Sequence, residues 1–147
     1  MKRLARFVAI GASVAVTLGC SDPPTPVEAT ATMPKACAGP TKTGGYICDV
    51  SMAALLANGD RYDGVRVITQ GYIHFEFEGN AIYLHKEDLD RNLSRNGLWV
   101  TLAKDVEATA CQDAYVIVEG TFRAGLGGHF ALWSGALDDI TRCARLD

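Results

Sequence analysis

A chain of 147 residues, with 48% hydrophobic and 21% charged residues, has the composition of an ordinary globular domain. Fifteen glycines are spread among β-branched runs, which favours short strands and tight turns over long helices. After residue 20 no stretch is apolar for long enough to cross a membrane as a helix. The formal net charge is −3, so a strongly basic nucleic-acid binder is excluded from the start.

The N-terminus carries a targeting pattern. Three basic residues precede an apolar segment of twelve residues, Phe7 to Leu18, which is too short for an ordinary spanning helix. The segment closes with Val16-Thr17-Leu18-Gly19-Cys20, which resembles the lipobox of bacterial lipoproteins. Thr17 departs mildly from the leucine most usual there. A plain secretory signal with a coincidental cysteine is the alternative.

The resemblance implies cleavage after Gly19 and lipidation of Cys20. Residues 1–19 are then a signal peptide, and residues 20–42, which hold all five prolines, form a flexible tether. No aspartate follows Cys20 directly, which implies sorting to the outer membrane. Cleavage removes three basic residues and leaves 11 basic and 17 acidic ones, a net charge of −6. We therefore expect the lipid to hold the protein to the bilayer, and we expect no nucleic-acid partner.

The stretch from Tyr62 to Glu87 has the alternating pattern of a half-buried β-hairpin. Gly79-Asn80 breaks the alternation and suits a two-residue type II′ turn. In that register Glu76 faces Tyr83 and His74 faces His85. The inward face is predicted to hold Val65, Val67, Thr69, Ile73, Phe75, Phe77, Ile82 and Leu84.

Patterns elsewhere predict one short helix and three further strands. Ser51 to Gly59 reads as a helix with Ser51 as N-cap and Asn58-Gly59 as stop signal. Lys86 to Gly97 suggests a loop with a helical turn. The further strands are predicted at Leu98–Leu102, Tyr115–Phe122 and His129 to about Ile140, with Gly125 to Gly128 as the turn before the last.

Five strands, the first interrupted by Gly71, predict a small closed or partly open barrel in which that glycine lets the strand bend. Two segments, Tyr62-Asp63-Gly64-Val65-Arg66-Val67 leading to Gly71-Tyr72-Ile73, and Tyr115-Val116-Ile117-Val118-Glu119-Gly120-Thr121-Phe122, resemble an OB-fold, as in small OB-like bacterial envelope proteins. The expected fold class is mainly β, a five-stranded OB-like barrel over residues 43–147 with a short helix before its first strand. A β-sandwich is the alternative, because the usual OB helix lies between strands 3 and 4.

Four cysteines remain once Cys20 is lipidated, and an even number in an exported protein suggests two disulfides with three possible pairings. In the predicted last hairpin Cys111 lies opposite Arg142, next to Cys143. We therefore predict Cys111–Cys143, and with it Cys37–Cys48. Free buried thiols are the alternative.

Two groups of residues are candidates for a site. His74 and His85, as cross-strand partners, could share a metal with Glu76 or Glu87 as an oxygen ligand. Tyr72, Tyr83 and Trp99, with Glu76, fall on the outer sheet face, where OB-folds commonly bind extended ligands. Packing of these rings beneath loops is the alternative.

The sequence contains no GxSxG or HExxH motif. It also contains no pair of carboxylates in surroundings that would give the two groups different pKa values. We therefore expect an envelope lipoprotein that acts as a non-catalytic binding or assembly module, without a cofactor. Its partner is expected to be an envelope protein or an extended ligand recognised by the outer sheet face. The alternatives are a metal-binding periplasmic lipoprotein and a hydrolase whose site the sequence does not advertise.

Overall fold

A computed structural model describes residues 37–38, 45–125 and 127–146. The predicted signal peptide, the lipidation site Cys20 and most of the predicted tether lie outside the described residues. Within the described ranges, no helix has both the length and the apolar character needed to cross a membrane.

The described chain contains seven strands and two short α-helices, joined by loops and single 3₁₀ turns. The strands are β1 (Cys37–Ala38), β2 (Ile47–Asp49), β3 (Arg66–His74), β4 (Ala81–Tyr83), β5 (Gly97–Leu102), β6 (Ala114–Arg123) and β7 (Ala136–Arg145). The helices are α1 (Met52–Ala57) and α2 (Lys86–Asp90). The 3₁₀ turns are Gly59–Tyr62, Ser94–Asn96, Ala108–Ala110 and His129–Ala131.

Five of the strands close into a barrel in the order β3-β4-β5-β7-β6, with β6 pairing back onto β3. All neighbours within the barrel are antiparallel except β5 and β7, which run parallel. This is a small OB-like β-barrel, with α1 before its first strand and α2 between its second and third strands, as the sequence predicted. Outside the barrel, β2 adds in parallel to the first half of β3, and β1 pairs with β2.

The barrel interior is filled by the alternating residues that the strand patterns identified. On β3 the inward-facing side chains are the buried Val67, Thr69 and Ile73, and on β6 they include the fully buried Val116, Val118 and Phe122. On β5 the same alternation places Leu98 and Val100 inside.

The helix α1 contributes to the same core. Ser51 caps it, its hydroxyl accepting a hydrogen bond from the backbone N–H of Ala54. The helix stops at Asn58, and its buried face consists of Met52 and Leu55, both part of the barrel's hydrophobic cluster. The packing that an OB-fold ordinarily obtains from a helix between strands 3 and 4 is thus supplied here by a helix that precedes the barrel. The corresponding connection in this chain holds only the 3₁₀ turn Ala108–Ala110.

Gly71 lies at the point where the pairing partner along one edge of β3 changes from β2 to β4. The first half of β3 pairs with β2 and the second half with β4, while β6 runs along its whole other edge. A Cβ on Gly71 would stand 2.5 Å from the carbonyl oxygen of Tyr83 and 2.8 Å from Cγ1 of Ile82. The strand crosses its neighbour too closely for any side chain at this position.

The predicted register of the first hairpin is wrong. In the structure Tyr72 pairs with Tyr83 and His74 with Ala81, so the strands part at His74 and residues 75–80 form a loop. The reason is a distant side chain, because the Gln112 amide binds both the N–H and the carbonyl of Phe75. Phe77, predicted to face inward, is therefore 93% exposed.

The predicted start of the last strand is also wrong. β7 begins at Ala136, so the connection from β6 is a long loop rather than a tight turn at residues 125–128. Val118 pairs with Cys143, and a bulge shifts the register between Glu119 and Thr121. Positive φ at Asp139 lies in the matching part of β7.

Both predicted disulfides are present. Cys37 and Cys48 are paired positions on β1 and β2, so their bond joins β1 to β2, which itself pairs with β3 of the barrel. Cys111 and Cys143 join the end of the β5–β6 connection to β7, with their Cα atoms 6.2 Å apart. The second pairing is right although the register used to infer it was not, because β7 still places Cys143 opposite Val118, close enough to the start of β6 to reach Cys111.

Candidate functional site

The aromatic residues predicted for the outer sheet face lie on that face, but other elements cover two of them. Tyr72 and Tyr83 are direct cross-strand partners, yet only 7% and 3% of their surfaces are exposed. Trp99 is half-buried on the neighbouring strand. The fourth member of that predicted face, Glu76, is exposed but belongs to the β3–β4 loop.

The β6–β7 loop covers the β4–β5 part of the face. Trp133 from that loop is 4% exposed and packs edge-to-face on Trp99, with ring centroids 5.0 Å apart. Ala81 and Tyr83 complete this second hydrophobic cluster, which Leu89 of α2 also contacts. Burial raises the pKa of Tyr83 above its ordinary value. This part of the face is a packed interior.

Tyr72 is covered from the other side. Its ring meets that of Tyr115 edge-to-face at 5.3 Å, and the Lys86 ammonium lies 5.9 Å from its centroid. The backbone N–H of Lys86 donates a hydrogen bond to the Tyr115 hydroxyl at 3.2 Å. Burial, and next the charge of Asp113, raise the pKa of Tyr72. The open ligand face expected from the sequence is therefore not available.

The histidine pair predicted to bind metal is not formed. His74 lies opposite Ala81, and His85 stands before α2, where its backbone N–H donates to the Asp88 carboxylate at 2.9 Å. In the observed register His74 lies at the loop end of the paired segment and His85 beyond its other end, so the two imidazoles do not face each other. In the described ranges, no three histidine, cysteine or acidic side chains are grouped so that they could hold a metal ion.

His74 belongs instead to a polar cluster at the base of the β3–β4 loop. Its Nδ1 lies 2.5 Å from Oδ1 of Asp113, and its Nε2 lies 3.7 Å from a carboxylate oxygen of Glu76. The hydrogen bonds from His74 and then from Gln112 hold the pKa of Asp113 below its ordinary value. Among the described residues the side chains hydrogen-bonded to His74 are those of Asp113 and Gln112, so this cluster joins the end of β3 to the residues just before β6.

Two phenylalanine side chains on neighbouring loops are almost fully exposed to solvent. Phe77 of the β3–β4 loop is 93% exposed and Phe130 of the β6–β7 loop is 81% exposed. A contact of 3.7 Å between Nε2 of His129 and a carboxylate oxygen of Glu78 joins the loops. We call the surface formed by Phe77, Glu78, His129 and Phe130 the loop-tip surface.

The backbone of both loops takes up unusual conformations at this surface. Glu78 and Phe130 have φ values of 65° and 54°, a region that non-glycine residues rarely occupy. The sequence pattern assigned Phe77 to the core and did not single out Phe130. The sequence offered no signal against burial of Phe77, because its flanking glutamates continue the alternation of a half-buried strand.

Two cavities lie away from this surface. One of about 500 Å³ opens beside the end of α1 and is lined partly by Asp60, Arg61 and Ser134. The other, of about 320 Å³, lies between α1 and β3 and is bordered by Met52 and Thr69. The Thr69 hydroxyl is buried without a hydrogen-bond partner. The charged lining residues are Asp60 and Arg61 in the first cavity and Asp49 in the second, and among the described residues neither lining contains a histidine or cysteine.

Fold and site together define an OB-like barrel whose sheet face is closed and whose loops present exposed aromatic rings. Comparison of the chain with protein-family models, with curated proteins and with solved structures finds no match in any of the three. The function of the protein is therefore inferred from the geometry of the loop-tip surface and from the sequence.

Proposed function

We propose that this protein is a lipid-anchored bacterial envelope protein that acts as a non-catalytic binding or assembly module. Its recognition surface is the loop-tip surface, in place of the sheet face that the sequence pattern favoured. The observation that carries the proposal is the near-complete exposure of Phe77 and Phe130 on two loops in mutual contact.

Exposure of these rings has a free-energy cost that a partner would remove. Transfer of one phenylalanine side chain out of water is worth about 1.5–3 kcal/mol. The two rings lie on loops that the His129–Glu78 contact joins, which distinguishes them from the scattered single apolar residues of an ordinary surface. Aromatic side chains are also the residues that most often dominate the binding energy of protein interfaces.

Both loops are anchored at their bases, which favours binding by pre-organised side chains. Gln112 holds Phe75 at the start of the β3–β4 loop, and the Asn80 side chain accepts a hydrogen bond from the Glu76 backbone N–H at its end. Trp133 fixes the β6–β7 loop to the sheet. Loops ordered in advance lose less conformational entropy when a partner binds.

The location of the surface agrees with how the fold class works. In OB-folds the loops after the first and fourth strands flank the ligand site, and β3–β4 and β6–β7 are those two loops here. Fold analogy alone does not establish a function, but the exposed rings of Phe77 and Phe130 lie on these same two loops.

The membrane attachment is part of the proposal and has its own test. About twenty tether residues reach at most roughly 65–70 Å when extended, enough to carry the barrel clear of the headgroups. Replacement of Cys20 by serine should move the protein from the membrane fraction to the soluble envelope fraction. A Cys37→Ser variant is the control that removes a cysteine but retains the anchor.

The binding surface is tested by placing a photo-crosslinking amino acid at position 77 or 130 in the membrane-anchored protein. We expect the same crosslinked partner from both positions. Position 46 is the control, because Tyr46 is 48% exposed and precedes β2, which pairs with the start of β3, about 25 Å of strand away from the loop. A Phe77→Ser/Phe130→Ser protein should lose partner binding, whereas Tyr46→Ser should retain it. Equal crosslinking from position 46 would contradict the proposal.

A further inference from the structure

We infer that the partner of the loop-tip surface is a protein carrying an apolar pocket rimmed by lysine or arginine residues. The inference rests on the proposed function and adds the chemistry of the partner. It follows from the charges that surround the exposed rings.

Acidic groups flank Phe77 on both sides. The side chains of Glu76 and Glu78 are 55% and 53% exposed, and that of Asp113, beside the loop base, is 53% exposed. In the described part of the chain, the basic side chains within salt-bridge distance of these three carboxylates are the imidazoles of His74 and His129. The charge of Lys86 acts on Asp113 at longer range, and no lysine or arginine of the described residues forms a salt bridge with Glu76 or Glu78.

This charge selects among the possible occupants. An anionic lipid surface or a nucleic acid would repel the carboxylates, and the mature chain as a whole carries a net charge of −6. A symmetric contact with a second copy would bring the same acidic patch against itself. A basic protein surface is the occupant that complements both the apolar rings and their acidic flank.

The two kinds of group would act on different parts of the binding reaction. Buried aromatic rings mainly slow dissociation, whereas exposed charges at the rim mainly speed association and make it sensitive to salt. A guanidinium or ammonium of the partner could also lie over the face of Phe77 or Phe130. The inference therefore predicts a salt dependence that burial of the rings alone would not produce.

The test uses the membrane-anchored protein with the photo-crosslinker at position 130, so that Phe77 and both glutamates stay in place. We expect the initial crosslinking rate to fall at least tenfold in a Glu76→Lys/Glu78→Lys variant, and to fall as salt is raised with the wild-type loop. Asp49→Lys/Asp60→Lys makes the same change in net charge at the other end of β3 and should alter the rate less than twofold. The crosslinked partner peptide should map beside a cluster of lysine or arginine residues.

The Glu76→Gln/Glu78→Gln variant is a control for disturbance of the loop by the lysine side chains. It removes the two negative charges and retains the size and shape of the side chains. Near-UV circular dichroism checks folding of each variant. A crosslink that persists unchanged in the charge variants and in high salt overturns the inference but leaves the proposed function standing. Crosslinks to lipid or to a second copy overturn it as well. Absence of any crosslink specific to positions 77 and 130 in the wild-type protein defeats the proposed function itself.

Discussion

Trp133 lies edge-to-face on Trp99 with ring centroids 5.0 Å apart, and this contact closes the outer sheet face over Tyr83. The loop that carries Trp133 continues to Phe130 and to the His129–Glu78 contact. The Trp133 indole thus covers this part of the sheet face and fixes the loop that also carries Phe130.

Replacement of Trp133 by alanine should uncover Tyr83 and loosen the β6–β7 loop. Because Trp133 is buried, we expect a loss of about 3–5 kcal/mol in the free energy of unfolding, as for other buried large-to-small changes. Near-UV circular dichroism should show the loss of the edge-to-face indole pair, because Trp99 loses its partner. Leu132→Ala, at a neighbouring half-exposed position, should change neither quantity appreciably.

The Cys111–Cys143 disulfide should contribute more to stability than Cys37–Cys48. Their sequence separations are 32 and 11 residues. The chain-entropy relation then gives about 4 and about 3 kcal/mol respectively at 25 °C. Urea denaturation of the two Cys→Ala double variants measures the difference. An equal or reversed order would show that strain or unfolded-state structure outweighs loop closure.

Gly71→Ala should destabilise the barrel by about 1–3 kcal/mol, since the new methyl group would overlap the backbone of Tyr83. Gly59→Ala is the matched control. Its Cβ would meet the Phe122 ring at 3.4 Å, an ordinary contact, so we expect a change within about 0.5 kcal/mol. Similar costs for the two variants would contradict the close strand crossing at Gly71.

The buried side chains of α1 should account for most of the stability that this helix adds to the folded protein. Leu55→Ala is expected to cost about 2–5 kcal/mol, because Leu55 is fully buried in the barrel cluster. Leu56→Ala, at a half-buried position, should cost clearly less. Ser51→Ala should cost about 1 kcal/mol through loss of the helix cap. Thermal or urea unfolding separates the three.

Asp113 should make stability depend on pH in the acid range. Its pKa is lowered in the folded protein by the His74 hydrogen bond, so its contribution is present above the unfolded value of about 4. It is lost as the pH falls through the lowered folded value. Asp113→Asn should therefore be less stable than the wild type at pH 5–6, and the two should converge at lower pH. Asparagine suits this control because Asp113 has a φ of 55°, which asparagine also tolerates.

Local patterns were sufficient for much of the fold. The Ser51 cap and the Asn58 stop gave the bounds of α1, and alternation placed Val67, Ile73, Val100 and Val116 inside the barrel. These features depend on neighbours a few residues away along the chain. The cysteine count similarly restricted the disulfides to a few pairings.

Strand register and surface exposure depended on distant contacts. Alternation continues past His74 in the sequence, but the Gln112 side chain, 37 residues from Phe75, occupies the backbone groups that a longer hairpin would have paired. The late start of β7 likewise follows from Trp133 docking on Trp99. For this reason the sequence placed Phe77 in the core and left the sheet face open.

The sequence by itself thus determined the mainly β composition, most of the barrel's inward residues and the helix before it. Only the tertiary structure decided which aromatic rings meet solvent. Periodicity reports which face of a strand a residue occupies, whereas exposure depends on which loop packs over that face. In this chain those loops bury Tyr83 and leave Phe77 and Phe130 in water.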